Sequence, residues 1–451
     1  MPRRNLHCLF LITLFSLVCY QKVPGSRCSR VLADAMDRVA RRFYQPVDEL
    51  NLFEGAMSGM VQRLDDEHSK YIQAAEKQEF EEDLNQEFVG IGIYPAIDPK
   101  TKQVLVLGSL PDGPAFAAGI RGGDRIVKIE GQGTQGLPLT DAVARIHGKP
   151  GTSVTLTIEH PGAAQPIDLA IVRQVIQKDT VEGESRGPDH RWNFLLPRPA
   201  DPLRRYPEVP RRRIGYIRIS AFTEAEQGEK GTAADFLAAL EQLRKQNVNG
   251  LVLDLRDNRG GSLRAAVDIC DLLLPQGEIV TTRGRDGQIL RAYAASGKAP
   301  FTGFPLAVLV NRRSASASEI VAACLQDHDR AIVVGERSYG KGTVQEVMDL
   351  GPTFGAMKLT IATYWRPSGQ NINRPKEDAK NAAWGVSPNE GYDLPVKVDE
   401  HDRLLAWQHE HELAATRSTG YPGGQKSAAG DEVPDRVLLK AVEYLESKTK
   451  R

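Results

Sequence analysis

The 451-residue sequence contains few cysteines and few aromatic residues, and neither sign of charge is in excess. Its 58 basic and 58 acidic side chains cancel, and aromatic residues make up only 6% of the chain, so its composition argues against nucleic-acid binding. Of the five cysteines, two lie in the N-terminal apolar run and the other three have no paired spacing, so the sequence indicates neither a disulfide framework nor a cysteine zinc site. The zinc signature HExxH is also absent, so no zinc site of that type is expected.

After the first 20 residues, the sequence contains no second apolar stretch of membrane length. The one apolar run, residues 8–20, follows Arg3 and Arg4 and has the length of a secretory signal core. We therefore predict a signal peptide or an uncleaved N-terminal anchor over residues 1–25. The protein is then exported to the periplasm or cell envelope, where the anchor would attach it to the membrane.

The pattern of apolar residues changes along the chain and indicates several domains. Residues 26–84 repeat apolar side chains at helical spacing, whereas residues 85–176 contain short alternating runs typical of strands. Residues 177–213 lose periodicity and predict a linker or long loop. Residues 214–400 alternate buried strands with helices, which indicates an α/β domain, and residues 401–451 predict a helical C-terminal region.

The heptapeptide SASASEI offers three candidate nucleophiles, Ser314, Ser316 and Ser318, at the start of a predicted helix. A serine there lies near backbone N–H groups that stabilise a developing oxyanion. The same pattern also fits a plain helix N-cap with Glu319 in the first turn, and the heptapeptide alone leaves both readings open.

A base must accompany a nucleophilic serine, and the histidines give no support for one. His147, His160 and His328 show no partnership with an aspartate and a serine, and the DHD sequence around His328 is more typical of a structural helix end than of a metal site. Lysine is the other candidate, provided that burial brings its pKa toward neutrality. Lys341, between two glycines, has this potential, and Gln345 lies four residues further on.

Several motifs in one order carry a family resemblance. EFVGIGI and GPAFAAGIRGGDRIVKIEG resemble a PDZ domain, and behind them follow DLRDNRGG, SASASEI, GERSYGKGTVQ and YWRPSGQNI. Together they resemble the C-terminal processing peptidases, also called tail-specific proteases. This resemblance implies a multidomain α/β fold with a crotonase-like ββα protease core, an inserted strand-rich PDZ-like domain and an N-terminal helical region.

The resemblance also implies roles for individual residues. Ser316, the middle serine of SASAS, corresponds to the nucleophile, Lys341 to its general base, and Gln345 to the residue that orients the lysine. The backbone N–H groups of Ala317 and of Gly260 or Gly261 correspond to an oxyanion hole. The implied serine endopeptidase works through an acyl-enzyme and needs no metal or other cofactor.

In PDZ-like modules a glycine-bearing loop binds the terminal carboxylate of a peptide that adds to the sheet edge. The corresponding residues are Val89, Gly90, Ile91 and Gly92. The implied partners are proteins or peptides with accessible C-termini.

Three departures from the family pattern leave the serine and lysine untouched: Arg313 before SASAS, the insertion NRPKEDAKNAAW near residues 372–384, and Asn389 in place of an aspartate. One alternative is a catalytically inactive envelope scaffold that binds C-terminal tails. Another is a crotonase-like acyl-transfer enzyme, which leaves the PDZ-like module and the Ser-Lys pair without explanation.

Overall fold

The computed structural model describes residues 26–77, 80, 87–111, 113–186, 191–196, 213–224, 231–375, 383–414 and 434–448. The described residues fall into two compact units. The first comprises those within 1–77 and 345–360, and the second those within 78–344 and 361–451. The predicted signal or anchor segment, much of the 177–213 linker and most of the insertion near 372–384 lie outside the described residues.

The helices of the described residues, in chain order, are α1 (Arg27–Arg42), α2 (Glu49–Gln62), α3 (Pro114–Ala117), α4 (Leu139–Ile146), α5 (Thr232–Lys245), α6 (Leu263–Leu273), α7 (Ala317–Asp327), α8 (Val398–Ala414) and α9 (Arg436–Lys448). The strands are β1 (Lys70–Ile72), β2 (Glu87–Gly90), β3 (Ile93–Ile97), β4 (Val104–Ser109), β5 (Arg125–Ile129), β6 (Gln132–Gly133), β7 (Ser153–Glu159), β8 (Ile167–Val172), β9 (Gln174–Gln177), β10 (Val181–Glu182), β11 (Ser185–Arg186), β12 (Trp192–Asn193), β13 (Ile214–Ile219), β14 (Gly250–Asp254), β15 (Glu278–Arg283), β16 (Ile289–Ala294), β17 (Leu306–Val310), β18 (Ala331–Gly335), β19 (Thr343–Asp349) and β20 (Ala356–Trp365).

The first unit contains α1, α2, β1 and the chain from Gln345 to Thr360. Helix α2 is capped by Asp48, whose carboxylate accepts hydrogen bonds from the backbone N–H groups of the first turn. Strand β1 pairs antiparallel with the first residues of β20. The Tyr71 hydroxyl donates to the Phe354 carbonyl at 2.8 Å, and the Phe53 ring lies edge-on to both aromatic rings. These contacts join the N-terminal helices to the later segment of the chain within this unit.

The first part of the second unit is an antiparallel sheet in the order β3-β4-β5-β7-β8, with β6 paired to β5. Alternate residues of β4 and β7, together with Ile126 and Ile129 of β5, are fully buried and pack with apolar residues of α3 and α4 into a separate core. This alternation explains the period-two pattern of the sequence, because one face of each strand is covered and the other meets solvent. Strands β2 and β9 form a separate antiparallel pair.

The second part of this unit is built on a sheet in the order β10-β13-β14-β17-β18, in which β13, β14, β17 and β18 are parallel. One face of the sheet packs against α5, α6 and α7 in the largest apolar core, and α9 covers the other face. Because both faces are covered, strands such as Leu306–Val310 are apolar throughout. Strands β15 and β16 pair with each other, and residues 281–283 of β15 pair with residues 363–365 of β20.

The predicted fold class is confirmed, since the structure combines an α/β core, a strand-rich module and N-terminal helices. The described parts of the 177–213 segment contain β10, β11 and β12, where the sequence pattern predicts only a linker. Strand β10 extends the core sheet by pairing antiparallel with β13, although its two residues are too few to show a periodicity. No helix of the described residues has the length and apolar character needed to cross a membrane.

Candidate active site

Ser316 lies at the junction between the loop after β17 and the start of α7. Its backbone has φ 57° and ψ −115°, a conformation that a residue with a side chain rarely adopts. The residue is 7% exposed, so its side chain is nearly withdrawn from solvent. A strained turn at a helix start is one arrangement that can present a nucleophile, and Ser316 stays the candidate among the three serines.

The other two serines of SASAS are committed to structural hydrogen bonds. The Ser314 hydroxyl donates to the Leu255 carbonyl at 2.8 Å, and the Ser318 hydroxyl donates to the Asn258 carbonyl at 2.9 Å. Both residues are fully buried. They attach the start of α7 to the DLRDNRGG loop that follows β14.

The Glu319 carboxylate links Ser316 to the loop that carries Lys341. Its Oε2 accepts the backbone N–H groups of Ser316 and Lys341, each at 2.8 Å, while Oε1 accepts the Gly340 N–H at 2.7 Å and the Ser338 hydroxyl. Burial raises the pKa of Glu319, and these four hydrogen bonds act in the opposite direction. One carboxylate group therefore fixes the backbones of both candidate catalytic residues.

Glu319→Ala is expected to reduce activity at least about a hundred-fold and to lower the free energy of unfolding by about 3–5 kcal/mol, because four buried donors lose their acceptor. Steady-state kinetics and urea unfolding measure the two effects. Glu390→Ala, at an exposed position, is the control and should leave both unchanged. An active Glu319→Ala enzyme of native stability would contradict this role.

Lys341 lies in a loop whose close packing requires glycine on both sides. A Cβ at Gly340 would come within 2.7 Å of the Trp384 ring, and one at Gly342 within 2.1 Å of the Asn373 backbone nitrogen. The backbone at Gly340 also has φ 85°, which favours glycine. The GKG motif is thus explained by packing around a half-buried Lys341.

The two candidate oxyanion glycines have different surroundings. Gly260 lies against the nucleophile loop, because a Cβ there would come within 2.7 Å of the Ser316 Cβ. Its own N–H, however, donates to Asn258 Oδ1 at 2.8 Å. Within the described part of the chain, the N–H groups of Gly261 and Ala317 take part in no backbone or side-chain hydrogen bond, and these two are the better candidates for an oxyanion.

A buried ionic cluster links the DLRDNRGG loop to the start of α9. The Arg256 guanidinium donates to Asp254 and, through both terminal nitrogens, to Asp435 at 3.0 and 2.7 Å. Asp435 also accepts the Leu438 N–H in the first turn of α9. Burial raises the pKa of Asp254, but Arg256 more than offsets this effect and holds the pKa below its usual value.

The role of this cluster is not predictable from the sequence. Arg256 reaches Asp435, which lies 179 residues further along the chain. The local signal is the run of charged residues in DLRD at the end of a buried strand.

The remaining predicted residues occupy two other regions. Val89 and Gly90 belong to β2, whereas Ile91 and Gly92 form the turn into β3. The Ile91 carbonyl accepts the Ala115 N–H at 2.8 Å. Gln345 lies in the first unit, where its amide donates to Thr360 Oγ1 at 3.1 Å, so its orienting role stays a prediction.

The candidate metal ligand His328 has a structural contact instead, because its Nε2 pairs with the Glu278 carbonyl at 2.7 Å. Among the described residues, no group of three or more histidine, cysteine, aspartate or glutamate side chains is arranged to hold a metal ion.

Comparison with known proteins agrees with this architecture. Residues 213–389 match peptidase family S41, residues 77–159 a PDZ domain, and residues 24–76 the N-terminal domain of the activating protease CtpB. The carboxy-terminal-processing protease of Bartonella bacilliformis is 36% identical over 344 residues, which cover 75% of this chain and 71% of that protein. The chain belongs to the carboxy-terminal processing proteases of peptidase family S41.

This peptidase is also similar to other known proteins over most of its length. The carboxy-terminal processing protease CtpA of Bacillus subtilis is 31% identical over 369 residues, or 81% of this chain and 69% of that protein. A solved structure of a photosystem II D1 C-terminal processing protease is 28% identical, with 88% of this chain and 99% of that chain covered and a TM-score of 0.46. The match to the family model and the sequence identity to the two curated relatives confirm the predicted family.

Proposed function

We propose that this peptidase is an exported serine endopeptidase that recognises substrate C-termini through its PDZ domain and cleaves with a Ser316–Lys341 dyad. The observation that carries the proposal is the Glu319 carboxylate, which holds the backbone N–H groups of both residues at 2.8 Å from one oxygen. The strained backbone of Ser316 and the committed hydroxyls of Ser314 and Ser318 support the same nucleophile.

In the first step, the neutral amine of Lys341 accepts the Ser316 hydroxyl proton as Oγ attacks the scissile carbonyl carbon. The carbonyl oxygen becomes an oxyanion, and the N–H groups of Ala317 and Gly261 donate to it. The C–N bond then breaks, and the Lys341 ammonium gives its proton to the leaving amine. The products are an acyl-enzyme ester at Ser316 and a free peptide amine.

In the second step, Lys341, again neutral, takes a proton from water as the water oxygen attacks the ester carbonyl. The tetrahedral intermediate collapses, the bond to Oγ breaks, and the ammonium returns the proton to Ser316. The enzyme is regenerated without a metal or organic cofactor. Gln345 would orient the lysine during both steps.

Tail recognition is assigned to the end of β2, Val89 and Gly90, and to the turn of Ile91 and Gly92, which precedes the edge strand β3. A C-terminal carboxylate bound there brings the preceding part of the substrate into the neighbourhood of the peptidase. The basic and apolar residues of segment 1–25 support export to the periplasm or cell envelope, with membrane attachment if the segment is retained.

Two reagents test this proposal. A quenched fluorescent peptide with a free C-terminal carboxylate should be cleaved at least about ten-fold faster than the same peptide with an amidated C-terminus, because only the former presents a charged tail. A fluorophosphonate probe should label one serine covalently. Binding of free-acid tails without cleavage and without labelling would favour the inactive scaffold instead.

A further inference from the structure

The strand next to the proposed tail-binding turn has an open edge. Strand β3 is the last strand of its sheet and pairs only with β4 among the described residues. Helix α4 packs against the same strand. An incoming peptide strand can therefore form backbone hydrogen bonds with the open edge of β3. The N–H groups on that edge determine how many residues of the peptide are bound.

The register shows which residues of β3 direct their backbone groups to the open edge. The Gly92 carbonyl accepts the Leu110 N–H, and the Asp98 N–H donates to the Gln103 carbonyl, so Gly92 and Asp98 both face β4. In an antiparallel strand, alternate residues direct both backbone groups to the same neighbour. Ile93, Pro95 and Ile97 therefore face the open edge.

The irregular pairing of these strands does not alter this assignment. The register shifts between Tyr94 and Pro95, which pair with Gly108 and Val106, so the additional residue lies in β4. The alternation along β3 is thus unbroken, and counting from either end gives the same outward residues.

A proline in the middle of this edge removes one donor. Proline has no backbone N–H, and in sheets it is confined largely to positions that face away from a paired strand. The Ile91 carbonyl is already occupied by the Ala115 N–H, so the available edge begins at Ile93. Along it, Ile93 and Ile97 present an N–H group and a carbonyl each, whereas Pro95 presents a carbonyl alone.

We propose that Pro95 limits the substrate tail that the PDZ domain reads to its last few residues. The inference rests on the proposed tail recognition and adds a determinant of its length specificity. A tail residue opposite Ile93 exchanges two hydrogen bonds with it. The tail residue opposite Pro95, two positions further from the C-terminus, donates to the Pro95 carbonyl, but its own carbonyl finds no donor.

The unpaired tail carbonyl determines where the tail leaves the edge. Continued pairing toward Ile97 would remove this carbonyl from water without a compensating hydrogen bond, which is unfavourable. The tail instead turns into solvent at Pro95, so residues further upstream contribute little to binding. The same missing donor protects the open edge from pairing with strands of other proteins.

Binding of alanine peptides to the full-length Ser316→Ala variant tests this inference, because this variant binds without cleaving. Peptides of three, five and seven residues carry fluorescein at the N-terminus through a spacer without amide groups, so that the spacer cannot pair with the edge. Each peptide is prepared with a free C-terminal carboxylate and with a C-terminal amide, and its Kd is measured by fluorescence anisotropy as the protein is added. In the parent variant, Kd for the free acids should change by less than about two-fold between three and seven residues. With Pro95→Ala, the heptapeptide should bind about five-fold tighter than to the parent, and the tripeptide equally well.

Two further variants complete the experiment. Pro95→Val supplies the same N–H with a strand-forming side chain and should reproduce the gain, whereas Pro166→Ala, at an exposed proline before β8, should not. Equal length dependence in all variants, with free acids still preferred over amides, would overturn the role of Pro95 alone. No preference for free acids at any length would instead overturn the proposed tail recognition.

Discussion

Ser316→Ala is expected to abolish peptide-bond cleavage, with kcat/KM reduced by about four orders of magnitude or more, because no other group at this position can form the acyl-enzyme. Binding of free-acid peptides should be unchanged, since β3 lies in a sheet with its own apolar core, which also includes Ile91 of the preceding turn. Cleavage is measured with the quenched fluorescent peptide, and binding by fluorescence anisotropy.

Ser318→Ala is the matched control, because it removes a hydroxyl two residues away. The loss of its hydrogen bond to the Asn258 carbonyl should lower the free energy of unfolding by about 1–2 kcal/mol. The variant should still be labelled by the fluorophosphonate probe, whereas Ser316→Ala should not. Labelling of Ser316→Ala would show that another serine is the nucleophile.

The sequence predicts the main elements of the fold well, because their patterns are local. Strand Leu306–Val310 is apolar throughout because both of its faces are buried. Strand Ser153–Glu159 alternates because only one of its faces is buried. The two glycines of GKG indicate close packing around Lys341, although the sequence does not show which residues pack against them. In the structure these partners are Trp384 and Asn373.

The link between the candidate catalytic residues is harder to predict. Glu319 fits an ordinary capping residue in the sequence, and its Ser316 contact is a local one. Its contacts to Gly340 and Lys341 join residues 21 and 22 positions apart in the sequence. They depend on how the chain returns to the start of α7 after β18. A one-dimensional pattern does not contain that geometry.

The direction in which Pro95 faces is likewise not predictable from the sequence. In the sequence it is a proline within a strand-like run, which indicates an edge strand. Which edge it faces depends on the register of β3 against β4, and this register is set by the hydrogen bonds of Gly92 and Asp98 at the two ends of the strand. Only the folded sheet identifies the missing donor.

Lys341→Arg and Lys341→Met are both expected to reduce kcat by at least about 10²–10⁴-fold. The guanidinium of arginine keeps the positive charge but cannot lose a proton near neutral pH, and methionine keeps the chain length without a base. Equal losses in the two variants would show that proton transfer, and not charge or packing, is the function of this position. Urea unfolding of both variants checks that the Glu319 contacts to the backbone are retained.

The pH dependence of the unmodified peptidase gives the complementary test of Lys341. The reaction requires the neutral amine, and lowering the pH converts it to the ammonium, so kcat/KM should fall about ten-fold per pH unit on the acid side of the profile. Small primary amines added to Lys341→Ala should restore part of the activity, and more so at high pH, because the unprotonated amine replaces the missing base. A rate that stays constant from pH 8 to about pH 5 would exclude a lysine base, and Ser316 would then need another proton acceptor.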